Sequence, residues 1–101
     1  MKQKESDLIK SCLDYLALKK IFAYRQNSGA FKTDRGGYYK FGISGAPDII
    51  AVVDGIYVGI EAKIGKNKLS ASQFEFGEKL VKAGGRYLVV RDLEDLILEL
   101  T

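Results

Sequence analysis

Residues 47–63, Pro47-Asp-Ile-Ile-Ala-Val-Val-Asp-Gly-Ile-Tyr-Val-Gly-Ile-Glu-Ala-Lys63, decide how this chain folds. Ile49 to Val53 is an apolar strand run, and Ile56 to Lys63 alternates with period two. Asp54-Gly55 stands between them, the strongest short-range signal for a two-residue hairpin. With those two residues as the loop, Val53 pairs with Ile56. The register then runs outward rung by rung until Asp48 stands directly across from Glu61. Both acids share a face with Ile50, Val52, Tyr57, Gly59 and Lys63. The opposite face, with Ile49, Ala51, Val53, Ile56, Val58, Ile60 and Ala62, is apolar throughout and must cover the core.

The facing acids carry the chemistry. Directly opposed side chains on antiparallel strands have Cβ atoms about 4.5–5.5 Å apart, and like charges there destabilise a sheet. At an effective dielectric near 20 the repulsion is on the order of 3 kcal/mol. A bridging divalent cation removes it, and ligation by oxygen alone selects Mg²⁺, Mn²⁺ or Ca²⁺. Lys63 projects from the same face as Glu61. A lysine there can hold a water, deprotonate it as the free amine, or offset negative charge developing on a phosphate as the ammonium. A bound metal also lowers the pKa of its water. The chemistry expected is metal-assisted hydrolysis of a phosphodiester. A longer turn would shift the register and leave both acids as ordinary surface residues.

On the N-terminal side, Leu8, Ile9, Cys12, Leu13 and Leu16 form one stripe of a helix expected over 3–19. Glu5 falls on the core-facing side at the stripe's N-terminal end. Buried carboxylates need a partner, whereas an acid at a helix N-terminus is favoured in any case. Ile21 to Arg25 is a short strand, closed by the polar turn Gln26-Asn27-Ser28-Gly29. Residues 32–45 read as a long loop or loose hairpin. Lysine, arginine and tyrosine interleaved there suit phosphate and base contacts. The aromatics could equally fold back onto the body.

On the C-terminal side, a basic turn (Gly65-Lys66-Asn67-Lys68) leads to Ser70-x-x-Gln73, a capping-box pattern that opens a helix. Phe74, Phe76, Gly77, Leu80, Val81 and Ala83 supply its apolar positions, and Gly84-Gly85 stops it. Arg86 to Arg91 is another strand. Asp92 caps a last helix with Leu93, Leu96, Ile97 and Leu100 on one side. The expected fold is α/β, a mixed sheet flanked by helices in the order α-β-β-β-α-β-α, as one domain over 1–101.

Composition bounds the chemistry. At 101 residues and 47% hydrophobic content, roughly two-thirds of the unfolded surface can be buried without a staple. The charge sum of +3 suits nucleic acid without requiring it. With no histidine, a Cys₂His₂ finger, a Ser-His-Asp triad and a histidine base are all excluded. The one cysteine, Cys12, forbids an internal disulfide and suits a reducing compartment. No run approaches the ~20 apolar residues of a membrane span. The N-terminus has no apolar signal region. A soluble protein of the cytoplasm is expected.

Pro47-Asp48 followed by Glu61-Ala62-Lys63 also matches the PD…(D/E)xK signature of the restriction-endonuclease-like superfamily. Longer strings extend the match: Arg25-x-Asn27-Ser28-Gly29, Gly45-Ala46-Pro47-Asp48, Leu69-Ser70-x-x-Gln73 and Val89-Val90-Arg91. Together they resemble the VRR-NUC (virus-type replication-repair nuclease) branch over nearly the whole chain. The resemblance implies metal ligation by Asp48, Glu61 and the Ala62 backbone carbonyl. Glu5 matches the helix-one acid that completes the site, through water if not directly. Lys63 matches the catalytic lysine, and Gln73 a glutamine that faces the active site. As the third helical residue of a capping box Gln73 needs no catalytic role, and the expectation is that it serves only one of the two. The resemblance further implies Mg²⁺ or Mn²⁺ as cofactor, DNA contacts at Arg25, Asn27, Ser28 and Arg91, and a phage-type homodimer in the host cytoplasm. The substrate implied is branched DNA, particularly four-way (Holliday) junctions. One departure stands out: the family's Val-Arg-Arg triplet is Val89-Val90-Arg91 here, followed by Asp92. The second basic contact is then lost or supplied from elsewhere, for example by Arg86.

Two other readings compete. In a nucleic-acid-binding module without catalysis, Lys32, Arg35, Lys40, Lys66 and Lys68 would hold phosphates, with steep salt dependence. Acids facing a polyanion argue against it unless a metal intervenes. A nuclease of the same fold acting on flaps or duplex would keep the site and change the substrate. Sequence-specific restriction needs base-reading elements for which a chain this short has little room; structure-selective cutting fits better. Tyr38, Tyr39 and Phe41 are candidates for a dimer seam or for stacking on DNA.

Overall fold

Asp54 and Gly55 both adopt left-handed backbone, with φ of 53° and 79°. That pairing defines the type I′ turn whose twist matches the flanking strands. The register follows as expected, from Val53 opposite Ile56 to Ile49 opposite Ile60. The computed structural model describes residues 4–26 and 29–101, with 29–31 and 39–41 described by their backbone alone. Its elements are α1 (Glu5–Leu18), β1 (Phe22–Arg25), β2 (Gly29–Lys32), β3 (Tyr38–Phe41), β4 (Ile49–Val53), β5 (Ile56–Ala62), α2 (Ala71–Lys82), β6 (Arg86–Val90) and α3 (Leu93–Leu100).

Four strands form one sheet in the order β1-β4-β5-β6, and β2 pairs only with β3. β1, β4 and β5 run antiparallel, whereas β6 lies parallel to β5 and is reached through the α2 crossover. A parallel neighbour requires such a crossover, because no tight turn can reverse the chain twice. Apart from the β2–β3 pair, the order α-β-β-β-α-β-α is the one the sequence implies. The 32–45 region is a hairpin that begins earlier than expected, at Gly29.

The core lies on one face of the sheet. Leu8, Ile9, Cys12 and Leu16 of α1 and Leu96 of α3 pack onto Ile49, Ala51, Val58, Ile60, Ala62, Leu88 and Val90. Glu5 is exposed at the start of α1, so no buried charge needs explaining on that stripe. α2 lies on the opposite face and covers only its β5–β6 side. There Gly77 meets the Tyr87 ring, and Leu80 lies over Gly59. A strip this narrow buries less of the helix than its spacing implies: Phe74 and Val81 are exposed.

Helix ends follow the local chemistry. Ser70 and Gln73 form the reciprocal capping box of α2, and Asp92 accepts the Asp95 N–H at the start of α3. α2 closes in a Schellman motif, with Gly84 (φ 99°) left-handed and the Gly85 N–H donating to the Leu80 carbonyl. Among the described residues no helix is long and apolar enough to cross a membrane.

Candidate active site

The hairpin register, continued one rung past Ile49 and Ile60, sets Asp48 across from Glu61. Asp48 is held by backbone on both flanks. Its carbonyl accepts the Gln26 N–H at 2.7 Å, and its Oδ2 accepts the Ala62 N–H at 2.8 Å. Glu61 is 2% exposed and is the one buried charged side chain among the described residues. An isolated carboxylate at such a position is costly unless it is paired or protonated.

Both oxygens of Glu61 are met by donors. Gln73 Nε2 donates to Oε1 at 3.1 Å, and the Tyr87 hydroxyl makes a long contact with Oε2 at 3.5 Å. Meanwhile Gln73 Oε1 accepts the Ser70 N–H at 2.8 Å, and Ser70 Oγ accepts the Gln73 N–H at 3.2 Å. The expectation that Gln73 serves only the cap or only the site is therefore corrected. A primary amide carries an acceptor and a donor on opposite branches, so one branch caps α2 while the other reaches Glu61.

Burial pushes the Glu61 carboxyl up to about 8; the facing Asp48 adds to the rise by charge and by a shared hydrogen bond. The Lys63 ammonium opposes the rise, and Glu5 contributes weakly in the same direction as Asp48. The Glu61 carboxyl therefore keeps its proton at neutral pH. Burial, with Glu61 beside it, also holds the Tyr87 phenol far above its ordinary value. It remains a neutral donor.

These residues fit a hard divalent cation. The donor set is oxygen only, and a cation held by Asp48 and Glu61 would replace the proton that Glu61 retains. Ala62 adds to it, because the residue across from it in the continued register is Pro47, which has no N–H to offer the Ala62 carbonyl. No group of three or more His, Cys, Asp or Glu residues converges among the described residues. The carboxylate part of the site is thus a pair, with Glu5 acting on it from the exposed first turn of α1.

The expected DNA contacts divide. Arg25 is exposed at the end of β1, opposite Ile49 and one rung from Asp48. Lys66 and Lys68 are exposed in the turn after β5, and Lys32 and Arg35 on the β2–β3 hairpin. Arg91 donates to the Gly65 carbonyl at 2.8 Å, tying that turn to the end of β6. Asn27 and Ser28, and the side chains of Lys40, Tyr39 and Phe41, lie outside the described residues. Tyr38 is exposed. Arg86 does not replace the missing second arginine. It opens β6 opposite Val58, three rungs from the Val89–Glu61 rung, and its guanidinium is bound to Glu99. Asp92, which follows Arg91, caps α3.

Sequence reasoning passed over Tyr87. Its only local signal is alternation within Arg86–Arg91, and its place beside Glu61 follows from the parallel β5–β6 register, which no turn announces. Neither a known family model nor a curated protein matches this sequence, so its own residues carry the functional argument.

Proposed function

We propose that this chain is a divalent-cation-dependent endonuclease that hydrolyses phosphodiester bonds in branched DNA. The observation carrying the reading is the opposed Asp48–Glu61 pair, Asp48 half-buried and Glu61 buried and retaining a proton, with Lys63 two residues on. A fold gains nothing from such a pair, and a cation-holding site requires one. Asp48, Glu61 and the Ala62 carbonyl would hold Mg²⁺ or Mn²⁺, with Glu5 reaching it through water. Once bound, the cation supplies polarisation of the phosphate and an acidified water. Lys63 would orient that water, take its proton as the free amine, or offset charge on the phosphate as the ammonium. Gln73 and Tyr87 fix the orientation of Glu61, and the exposed cations Arg25, Lys32, Arg35, Lys66 and Lys68 hold phosphates.

The motif resemblance to VRR-NUC nucleases supports the substrate class, with four-way junctions first, and a homodimer with two sites cutting paired strands. The cytoplasm is the proposed compartment, in keeping with the free, buried Cys12. The test compares wild type and Lys63→Ala on labelled four-way junction, 5′-flap and linear duplex DNA, in Mg²⁺, Mn²⁺ and EDTA. Metal-dependent paired nicks in the junction, lost in the variant while DNA is still bound, are expected. Cutting of flaps or duplex alone would discard junction resolution. Full activity in Lys63→Ala would remove the lysine from the mechanism, and metal-independent binding without cleavage would leave only a binding module.

A further inference from the structure

The sheet face that carries Glu61 is covered by α2 on one side only. Beyond the Asp48–Glu61 rung come Tyr24, Ile50 and Gly59 in one row, then Phe22, Val52 and Tyr57 in the next. Successive rows on one face lie about 7 Å apart. Ile50 is buried, but Phe22 is 70%, Tyr24 48%, Val52 43% and Tyr57 37% exposed. The Phe22 and Tyr24 rings meet edge to face, with centroids 6.1 Å apart. A sheet face left to water usually alternates to polar residues. This one shows three rings and a valine, a contiguous exposed apolar patch that marks an interaction surface.

Charge selects the partner. Between Asp14 and Asp34 every charged residue is basic: Lys19, Lys20, Arg25 and Lys32. Lys19 and Lys20 immediately precede the strand bearing Phe22 and Tyr24 and are exposed, Lys19 with its ammonium over the Tyr15 ring of α1; Arg25, also exposed, ends the strand on its other face, level with Ile49. Two copies pressed together here would oppose these cations, whereas a polyanion would neutralise them. Rings on a sheet engage base faces, which a duplex hides and a single strand offers.

We propose that the face bearing Phe22, Tyr24 and Tyr57 is a stacking platform for unpaired bases of a DNA strand, with Lys19 and Lys20, at the start of β1, meeting its backbone. Its role of leading a strand from a branch point to the carboxylate pair rests on the nuclease reading. The platform's first ring, Tyr24, is one row from that pair.

The test is binding of fluorescein-labelled dT12 and of a 12-base-pair duplex, followed by anisotropy in EDTA so that nothing is cut. Wild type should bind dT12 more tightly than the duplex. Phe22→Leu and Tyr24→Leu keep apolar volume and lose the ring; each should weaken dT12 binding at least about fivefold, and Tyr24→Trp should restore it. Circular dichroism melts of the same variants check the fold. Unchanged dT12 affinity in both leucine variants overturns the proposal. So does a wild-type dimer that the same substitutions dissociate in sedimentation, since the face would then belong to a second copy. Junction cleavage by wild type with ring-independent dT12 binding sinks the platform and spares the nuclease. Ring-dependent dT12 binding without metal-dependent cleavage supports the platform and sinks the nuclease.

Discussion

Glu61→Gln isolates what the carboxylate pair costs the fold. The glutamine keeps the size of Glu61 and an acceptor for Gln73, but it cannot ionise. Folding moves the Glu61 carboxyl from an ordinary value of 4.5 to about 8, so the folded state binds its proton more tightly than the unfolded chain. The stabilisation is complete below about pH 4.5 and is lost as the pH climbs towards 8. At 1.36 kcal/mol per unit, the loss is on the order of 3 kcal/mol by pH 7 and approaches about 5 kcal/mol above pH 8. Against a total of about 5–15 kcal/mol for a domain, that is a large share. Urea unfolding followed by circular dichroism between pH 5 and 9, in EDTA, reads it directly. Wild type should fall away from Glu61→Gln as the pH rises, and saturating Mn²⁺ should close the gap by stabilising wild type alone. Parallel curves for the two proteins would refute the reasoning, because the pair would then be ionised or solvated like any surface acids.

Gln73→Glu keeps a capping-box residue but replaces the donor facing Glu61 with a third carboxylate; α2 should persist while stability above pH 7 falls by about 2 kcal/mol, and an unchanged midpoint would separate Gln73 from the site. Gly77→Ala would set a Cβ 2.8 Å from the Tyr87 ring; the overpacking should cost about 1–3 kcal/mol, less what alanine returns in helix propensity, and a raised melting temperature would show that the ring shifts freely. Gly55→Ala forces a side chain into left-handed backbone and should lose about 1 kcal/mol in the same urea assay, whereas no loss would mean the turn is not what holds the register.

The site was legible where it rests on local chemistry. Two turn residues and two alternating runs place Asp48 against Glu61, because a hairpin's register is fixed by its loop. Ser70, Gln73, Gly84 and Asp92 announce helix ends for the same reason: capping is a short-range exchange of hydrogen bonds. What escaped depends on partners distant in sequence. Tyr87 reaches Glu61 only once β6 lies parallel to β5, and Phe74 and Val81 are exposed because α2 covers two strands rather than a whole sheet. Gln73 was half read, since its cap is local and its bond to Glu61 is not. The β1 face escaped for another reason. Phe22 and Tyr24 read as ordinary strand residues until β4 and β5 set Val52 and Tyr57 beside them, all four exposed.

The type I′ turn also bears on the order of events during folding. Contacts that close short loops form before those that close long ones, so the β4–β5 hairpin is expected to zip from Asp54-Gly55 outwards, with the Asp48–Glu61 rung last. An early nucleus built on Val53, Ile56 and their neighbours would contain no opposed charge. If the rate-limiting barrier precedes that rung, the penalty of ionising Glu61 hastens unfolding rather than slowing folding. On that order the folding rate should not respond to an added divalent cation, whereas the unfolding rate should fall.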